Sequence, residues 1–373
     1  MSDHVKLSEV CEILNSNVDK KTKENEQKVK LCNFIDVYNN WAITKYTSKK
    51  FMTATATQNE INKFSLKKGY VAITKDSETK DDIGISTYIA DNFDNVLLGY
   101  HCTLLKPNQK VLNGKFLNAY LSSFYGRKYF SNCASGSGQR YTLTIDIIKD
   151  LTIPLINIET QQKIAHTLSI LDQKIENNHK INELLHTLAY KIYEYYFKYK
   201  PKNAKLEQII IENPKSNIMV KNAQKTQDKY PFFTSGDNTL SYPKAIIDGR
   251  NCFLNTGGNA GIKFYVGKAS YSTDTWCICA NEFSDYLYLL LSSIKTHINQ
   301  SFFQGTSLKH LQKNLLKKYP IYMPSAHEIK KFNQMIMPLL TLISINTRTS
   351  KKLEQVRDFL LPLLLTQQVK PPK

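Results

Sequence analysis

Two short, glycine-bearing polar stretches carry the side chains best suited to gripping a ligand: Ser135-Gly136-Ser137-Gly138-Gln139-Arg140 and Gln304-Gly305-Thr306-Ser307. Glycine lets a backbone approach a flat or charged ligand closely, and Arg, Gln, Asn and Lys each carry several N–H donors. A lysine after an apolar run, Lys75, and the Gly258, Asn259, Lys263 and Lys309 side of the second half extend the set. Should the ligand be a nucleic acid, the candidate contacts to its phosphates and base edges are Lys75, Gly138, Gln139, Arg140, Gly258, Asn259, Lys263, Gln304, Gly305 and Lys309. On sequence grounds each is equally a solvated loop residue.

No catalytic pattern holds. Gly261 to Lys268 imitates a phosphate loop, but five residues separate Gly261 from Gly267 and Ala269 replaces the required Ser or Thr. GxGxxG, HExxH and GxSxG do not occur. Nor does the Asn/Asp-Pro-Pro-aromatic stretch with which an adenine methyltransferase grips a flipped base. Seven cysteines, at 11, 32, 102, 133, 252, 277 and 279, include no CxxC pair, and the eight histidines are scattered. Cys277 and Cys279 alternate with Trp276 and Ile278, which suits one face of a strand better than a metal site. The expectation is a chain without catalysis, cofactor or metal of its own.

The elements that must position these loops emerge from charge, repeat and periodicity. The 373 residues hold 50 Lys+Arg against 32 Asp+Glu, a formal charge of +18 that attracts nucleic acid or an anionic membrane. A lysine-, asparagine- and isoleucine-rich composition from an AT-rich genome would give the same excess. The N-terminus Met1-Ser2-Asp3-His4 lacks a signal-peptide pattern, and no apolar run reaches about 18 residues. A cytoplasmic chain with reduced thiols and no membrane partner is expected.

The sequence is written twice. Val5-Lys6-Leu7-Ser8-Glu9-Val10 matches Ala204-Lys205-Leu206-Glu207-Gln208-Ile209, and Gly69-Tyr70-Val71-Ala72-Ile73 matches Gly249-Arg250-Asn251-Cys252-Phe253. Leu121-Ser122-Ser123 recurs as Leu291-Ser292-Ser293, the polar glycine loops follow, and Ile153-Pro154-Leu155 then corresponds to Tyr319-Pro320-Ile321. Leu7 and Ile164 stand 157 positions apart, Leu206 and Phe332 only 126, so the first globular half is about 31 residues longer. Strand-like runs (Tyr70 to Ile73, Trp276 to Cys279) and helical stretches (Phe116 to Tyr129, Asp285 to His297) make both halves mixed α/β.

A heptad seam follows each half. Ile164, Leu168, Leu171, Ile175, Asn178, Asn182, Leu185, Ala189, Ile192 and Tyr196 alternate in steps of four and three. Adding 168 gives Phe332, Ile336, Leu339, Ile343, Asn346, Ser350, Leu353, Arg357, Leu360 and Leu364. Some 35 residues at 1.5 Å rise make rods of about 50 Å. Polar residues halfway along each seam cost stability but fix register and partner. Pro338 should kink the second helix near its start, and Pro362 sits near its end. The expected architecture is α/β (α+β): two globular mixed domains separated by two long helices that form an antiparallel coiled coil, with an internal two-fold repeat. The expected boundaries are 1–155, a helix over 156–200, 201–323, a helix over 324–366 and a tail over 367–373.

The segment Ile153-Pro154-Leu155-Ile156-Asn157-Ile158-Glu159-Thr160-Gln161-Gln162-Lys163-Ile164-Ala165 resembles the start of the central conserved helix of type I restriction–modification specificity subunits. That family reads Ile-Pro-Leu-Pro-Pro-Leu-Glu-Glu-Gln-Lys-Lys-Ile-Ala there. Leu171 to Asn178 continues the likeness, Lys352 to Leu364 is similar to the final helix, and Asn255 to Lys263 resembles a glycine-rich segment of the recognition domains. Ile156-Asn157 departs from the family's Pro-Pro, and Pro324-Ser325-Ala326-His327-Glu328 lacks its Glu-Gln pair.

The resemblance implies a non-catalytic DNA-binding subunit whose two target-recognition domains each read half of a split, asymmetric site in double-stranded DNA. It implies helices that set the spacer and dock two methyltransferase subunits, with restriction subunits joining them. S-adenosylmethionine, ATP and Mg then belong to the partner subunits only. Two other readings remain at this point: a non-catalytic nucleic-acid-binding scaffold, or the recognition part of a combined restriction–methylation enzyme.

Overall fold

The computed structural model describes residues 3–136, 139–223 and 229–368. The chain divides into two compact units, one built from residues up to 175 together with those from 352 onward, the other from 176–351.

The first unit is organised on a five-stranded sheet in the order Cys11–Asn15, Cys102–Pro107, Val71–Thr74, Ser86–Ile89, Ala42–Ile43. All neighbours are antiparallel except the last pair. Both faces are covered, which is why Val71-Ala72-Ile73-Thr74 is buried throughout and reads as a continuous apolar run. Period-2 alternation sorts the two faces. Val71, Ile73 and Leu105 meet Phe116, Leu117 and Phe130 of the helices Gly114–Ser122 and Phe124–Cys133. Ala72 and Leu104 face Cys32 and Leu98 instead, which belong to a second sheet of Met52–Ala56, Gln27–Cys32 and Val96–Leu98.

The second unit repeats this plan with Ile211–Glu212, Thr275–Cys279, Arg250–Asn255 and Ile262–Val266 in the same spatial order. Its helices Ser284–Ser293 and Lys295–Ser301 follow the strand Thr275–Cys279, as Gly114–Ser122 and Phe124–Cys133 follow Cys102–Pro107. A two-stranded ribbon closes each unit, with His4 opposite Pro154 in one and Lys205 opposite Pro320 in the other. The 31 additional residues of the first unit lie largely between its first and third sheet strands. There they build the helices Phe34–Asn39 and Gln58–Phe64 and the strand Ala42–Ile43, whereas the sheet of Met52–Ala56, Gln27–Cys32 and Val96–Leu98 has a counterpart in Thr239–Tyr242, Tyr230–Phe233 and Ser270–Tyr271, with the same antiparallel and parallel pairings.

Gly69 and Gly249, the glycines that open the matched strands, have φ of +97° and +94°. Both take the left-handed conformation that only glycine adopts without strain. A Cβ on Gly249 would meet no atom within 4 Å, so its replacement by alanine costs backbone strain alone. Gly249→Ala should lower the stability of the second unit by about 1–3 kcal/mol, read from its denaturant midpoint at unchanged m-value.

The two helical stretches expected as single helices are each broken in two, at the repeated Leu-Ser-Ser. Ser123 is extended (φ −71°, ψ 166°), and Ile294 has left the helix in the second unit. The Ser123 hydroxyl donates to the Tyr120 carbonyl at 2.6 Å and that of Ser293 to the Leu290 carbonyl at 2.7 Å. A hydroxyl bonding three residues back competes with the helical ladder, which single-residue periodicity does not register.

The long helices span Ile158–Tyr193, continued by a π-helical turn over Glu194–Lys198, and Ala326–Leu365. Helix runs unbroken across Pro338, where a kink is expected from sequence. Every seam residue from Ile164 to Tyr196 and from Phe332 to Leu364 is buried or half-buried. The pairing is antiparallel. In the first unit Ile164 and Leu168 share a core with Leu361 and Leu364. In the second, Leu185, Ala189, Ile192 and Tyr196 pack with Phe332, Ile336, Leu339 and Ile343. Polar seam residues of the second unit meet each other: Asn346 Nδ2 donates to Asn182 Oδ1 at 2.9 Å, and Asn178 Nδ2 to Ser350 Oγ at 3.1 Å. Arg357, in the first unit, lies 4.3 Å over the Trp41 ring and 4.0 Å from Asp172. Buried Ile175 and half-buried Leu171, Leu353 and Leu360 complete the seam positions of this part.

Candidate nucleic-acid interface

In the first unit the strand Val71–Thr74 is followed by a short strand, Asp76–Ser77, which pairs with Tyr141–Thr142; that strand pairs in turn with Ser135–Gly136. This ladder brings Lys75 and Arg140 together from 65 positions apart in sequence. Gln139 and Arg140 are exposed. Gly138 lies outside the described residues.

Three residues that the sequence did not single out complete this corner. Asp76 Oδ2 and Arg140 Nη2 each stand 2.9 Å from His101 Nδ1, and the guanidinium and carboxylate are 3.7 Å apart. The Tyr100 ring lies against the imidazole with centroids 3.7 Å apart. Lys75 Nζ reaches the Ser16 carbonyl at 3.4 Å. No local pattern marks Tyr100, His101 or Asp76, because what assembles them is pairing between distant strands.

The second unit builds its counterpart differently. The strands Phe303–Gln304 and His310–Leu311 form a hairpin, and Gly257 bridges to His310. The Gly258 N–H donates to the Lys309 carbonyl at 2.9 Å, and the Leu311 N–H to that of Thr256 at 3.0 Å. Gly258, Gln304, Gly305 and Lys309 are thereby gathered, with Asn259 exposed one residue on. A Cβ on Gly261 would fall 2.3 Å from Asn255 Nδ2, so only glycine fits under that amide.

Lys263 takes another role from the one expected of it. Its ammonium donates to the Thr234 carbonyl at 2.7 Å and to that of Gly236. Burial pushes its pKa down, with Asp237 opposing and Lys295 adding to the fall. The charge is engaged inside the unit, holding the loop over Thr234 to Gly236, and is not presented to a ligand.

Among the described residues no group of three or more His, Cys, Asp and Glu could hold a metal ion, and no helix is long and apolar enough to cross a membrane.

The family model for the type I restriction modification DNA specificity domain matches residues 2–187 and again 202–355. The HindI specificity subunit of a type I restriction enzyme from Haemophilus influenzae is 30% identical over 149 residues, 39% of this chain and 32% of that protein. The match thus spans about a third of that relative's length. The MjaIX specificity subunit from Methanocaldococcus jannaschii is 25% identical over 341 residues, covering 80% of this chain and 74% of the relative. Among solved structures, the S subunit of a type I restriction–modification system from M. genitalium superposes with a TM-score of 0.57 at 17% identity, covering 98% of this chain and 96% of that one. With two consecutive family matches over the two topologically equivalent units, the chain belongs to the type I restriction–modification DNA specificity family.

Proposed function

We propose that this chain reads a two-part target in double-stranded DNA and directs two methyltransferase subunits and the restriction subunits of a type I complex to it. The observation that supports this reading is the duplication of one fold plan within the chain. Four sheet strands keep the same order in both units, and a polar, glycine-bearing hairpin pairs with the segment just beyond the strand that a positive-φ glycine opens. Two copies of one reader in a single chain suit two half-sites at a fixed spacing. The antiparallel helix pair with matched polar positions supports a ruler, and the +18 charge supports phosphate-based affinity. Exposed Ile181, Leu184 and Leu188 on the first long helix leave apolar surface for docking a methyltransferase subunit. In this reading the methyl donor, ATP and Mg are bound by the partners.

The deciding experiment maps methylation in cells making the matching methyltransferase subunit with and without this chain. A new bipartite motif modified only in its presence supports the proposal. No chain-dependent methylation despite a co-purifying complex would sink it.

Loop lysines also separate by role. Lys309→Ala should lower the slope of log affinity against log salt by about 1 while preserving the preferred sequence. Lys263→Ala should leave that slope unchanged and destabilise the loop it braces. Titrations of the assembled complex on one duplex at several salt concentrations check both.

A further inference from the structure

We infer that Arg140 reads a guanine in the half-site of the first unit, oriented by Asp76 and His101; this rests on the DNA-reading function proposed above. The chain draws its positive charge almost wholly from lysine, with 45 Lys and only five Arg. Arginine costs nothing extra as a charge, but its planar fork matches two acceptors at once, which a lysine point charge does not. Among so many lysines, an exposed arginine is therefore the side chain best suited to a two-acceptor contact.

Four of the five forks are engaged inside the fold. Arg127 donates to the Asp81 carbonyl, and Arg250 holds Asp285, Thr341 and the Met337 carbonyl. Arg348 holds Tyr265 and the Val266 carbonyl, and Arg357 lies over Trp41 beside Asp172 and Asp358. The fifth, Arg140, sits on an exposed loop with its side chain 55% accessible.

Arg140 is not free to wander. His101 Nδ1 stands 2.9 Å from both Arg140 Nη2 and Asp76 Oδ2, and a guanidinium can only donate. In one tautomer Nδ1 accepts from Arg140; in the other it donates to Asp76 and Arg140 keeps only the carboxylate's attraction. Either way Nη2 is held near His101 and Asp76, and with the side chain 55% accessible the guanidinium can still be reached by a ligand. A carboxylate partner also offsets part of the charge, which weakens a role as a bare phosphate contact. Preoriented paired donors are what the O6 and N7 acceptors of guanine take in the major groove. The second unit offers Asn259, Gln304 and Lys309 at its hairpin and no arginine, so the assignment is specific to the first half-site.

The test uses the complex with its methyltransferase subunits. In cells, Arg140→Ala and Arg140→Gln should relax one guanine position of one half-site while the other half-site is unchanged. In vitro, 7-deazaguanine placed in turn at each guanine of the target should weaken wild-type binding about 5- to 150-fold at one position. The same replacement should cost the Arg140→Ala complex nothing further, and this series decides the matter should the variant methylate too weakly to map. An unchanged motif in the variants, or equal 7-deazaguanine penalties for wild type and variant, would overturn the guanine assignment alone. A wild-type chain that directs no methylation overturns the DNA-reading function and the assignment with it.

Discussion

Arg250→Ala should destabilise the second unit by about 3–5 kcal/mol, the cost of leaving a buried charge without its partner. The Arg250 guanidinium donates through Nε and Nη2 to the two carboxylate oxygens of Asp285, whose side chain is 2% exposed. Its other donors reach Thr341 Oγ1 at 3.0 Å and the Met337 carbonyl at 3.2 Å on the second long helix. One residue thus ties a sheet strand, a covering helix and the long helix together within this unit.

Burial pushes the Asp285 carboxyl above its ordinary value, and Arg250 pulls it back only in part. Removing the arginine leaves only a backbone hydrogen bond to oppose burial. A carboxyl whose pKa is raised by folding binds its proton more tightly in the folded chain. Its stabilising contribution is complete below the unfolded value near 4 and is lost as pH rises through the folded value. The deficit of Arg250→Ala relative to wild type should therefore widen from about pH 4 toward neutrality. Arg250→Met with Asp285→Leu, which removes both charges, should recover most of the loss. Urea unfolding of the three chains at pH 5 and pH 7.5 measures this. A loss below about 1 kcal/mol with no pH dependence would mean that water screens the pair.

What the sequence revealed of the fold divides by the range of the forces involved. Periodic patterns register locally, so the seam from Ile164 to Tyr196 and its copy from Phe332 to Leu364 were legible, polar middle included. The repeat was legible because both copies need the same special residues at the same places. Gly69 and Gly249 occupy one backbone conformation, and Leu-Ser-Ser ends one helix in each unit. Its meaning as a helix break was hidden, since it lies in a hydroxyl reaching back three residues and not in any hydrophobic period.

The candidate site was legible at the level of loops and not of partners. Lys75 and Arg140 were both singled out, but Asp76 and His101, which connect them, were not. Lys263 looked like a donor for a ligand because sequence shows a charge and not the Thr234 and Gly236 carbonyls that consume it. Such placements depend on contacts 25 or more residues apart, where local composition carries no information.

The polar seam should show the opposite of additivity. In Asn182→Leu the half-buried Asn346 amide loses its 2.9 Å acceptor, which should cost about 1–3 kcal/mol. Leucine at both 182 and 346 removes the unpaired group and supplies apolar contact, so the double variant should equal or exceed wild type by up to about 4 kcal/mol. Extending the change to Asn178 and Ser350 erases the second polar contact as well. A seam whose polar middle is replaced by leucine penalises a one-heptad slip or pairing with another copy of the chain far less. That fourfold variant should unfold at higher denaturant yet sediment as a mixture of assembly states. In the methylation map it should tolerate more than one spacer length. If it proves more stable and still directs methylation at a single spacing, packing around the seam, including Arg357 over Trp41, is what sets the register, and the asparagines only satisfy one another.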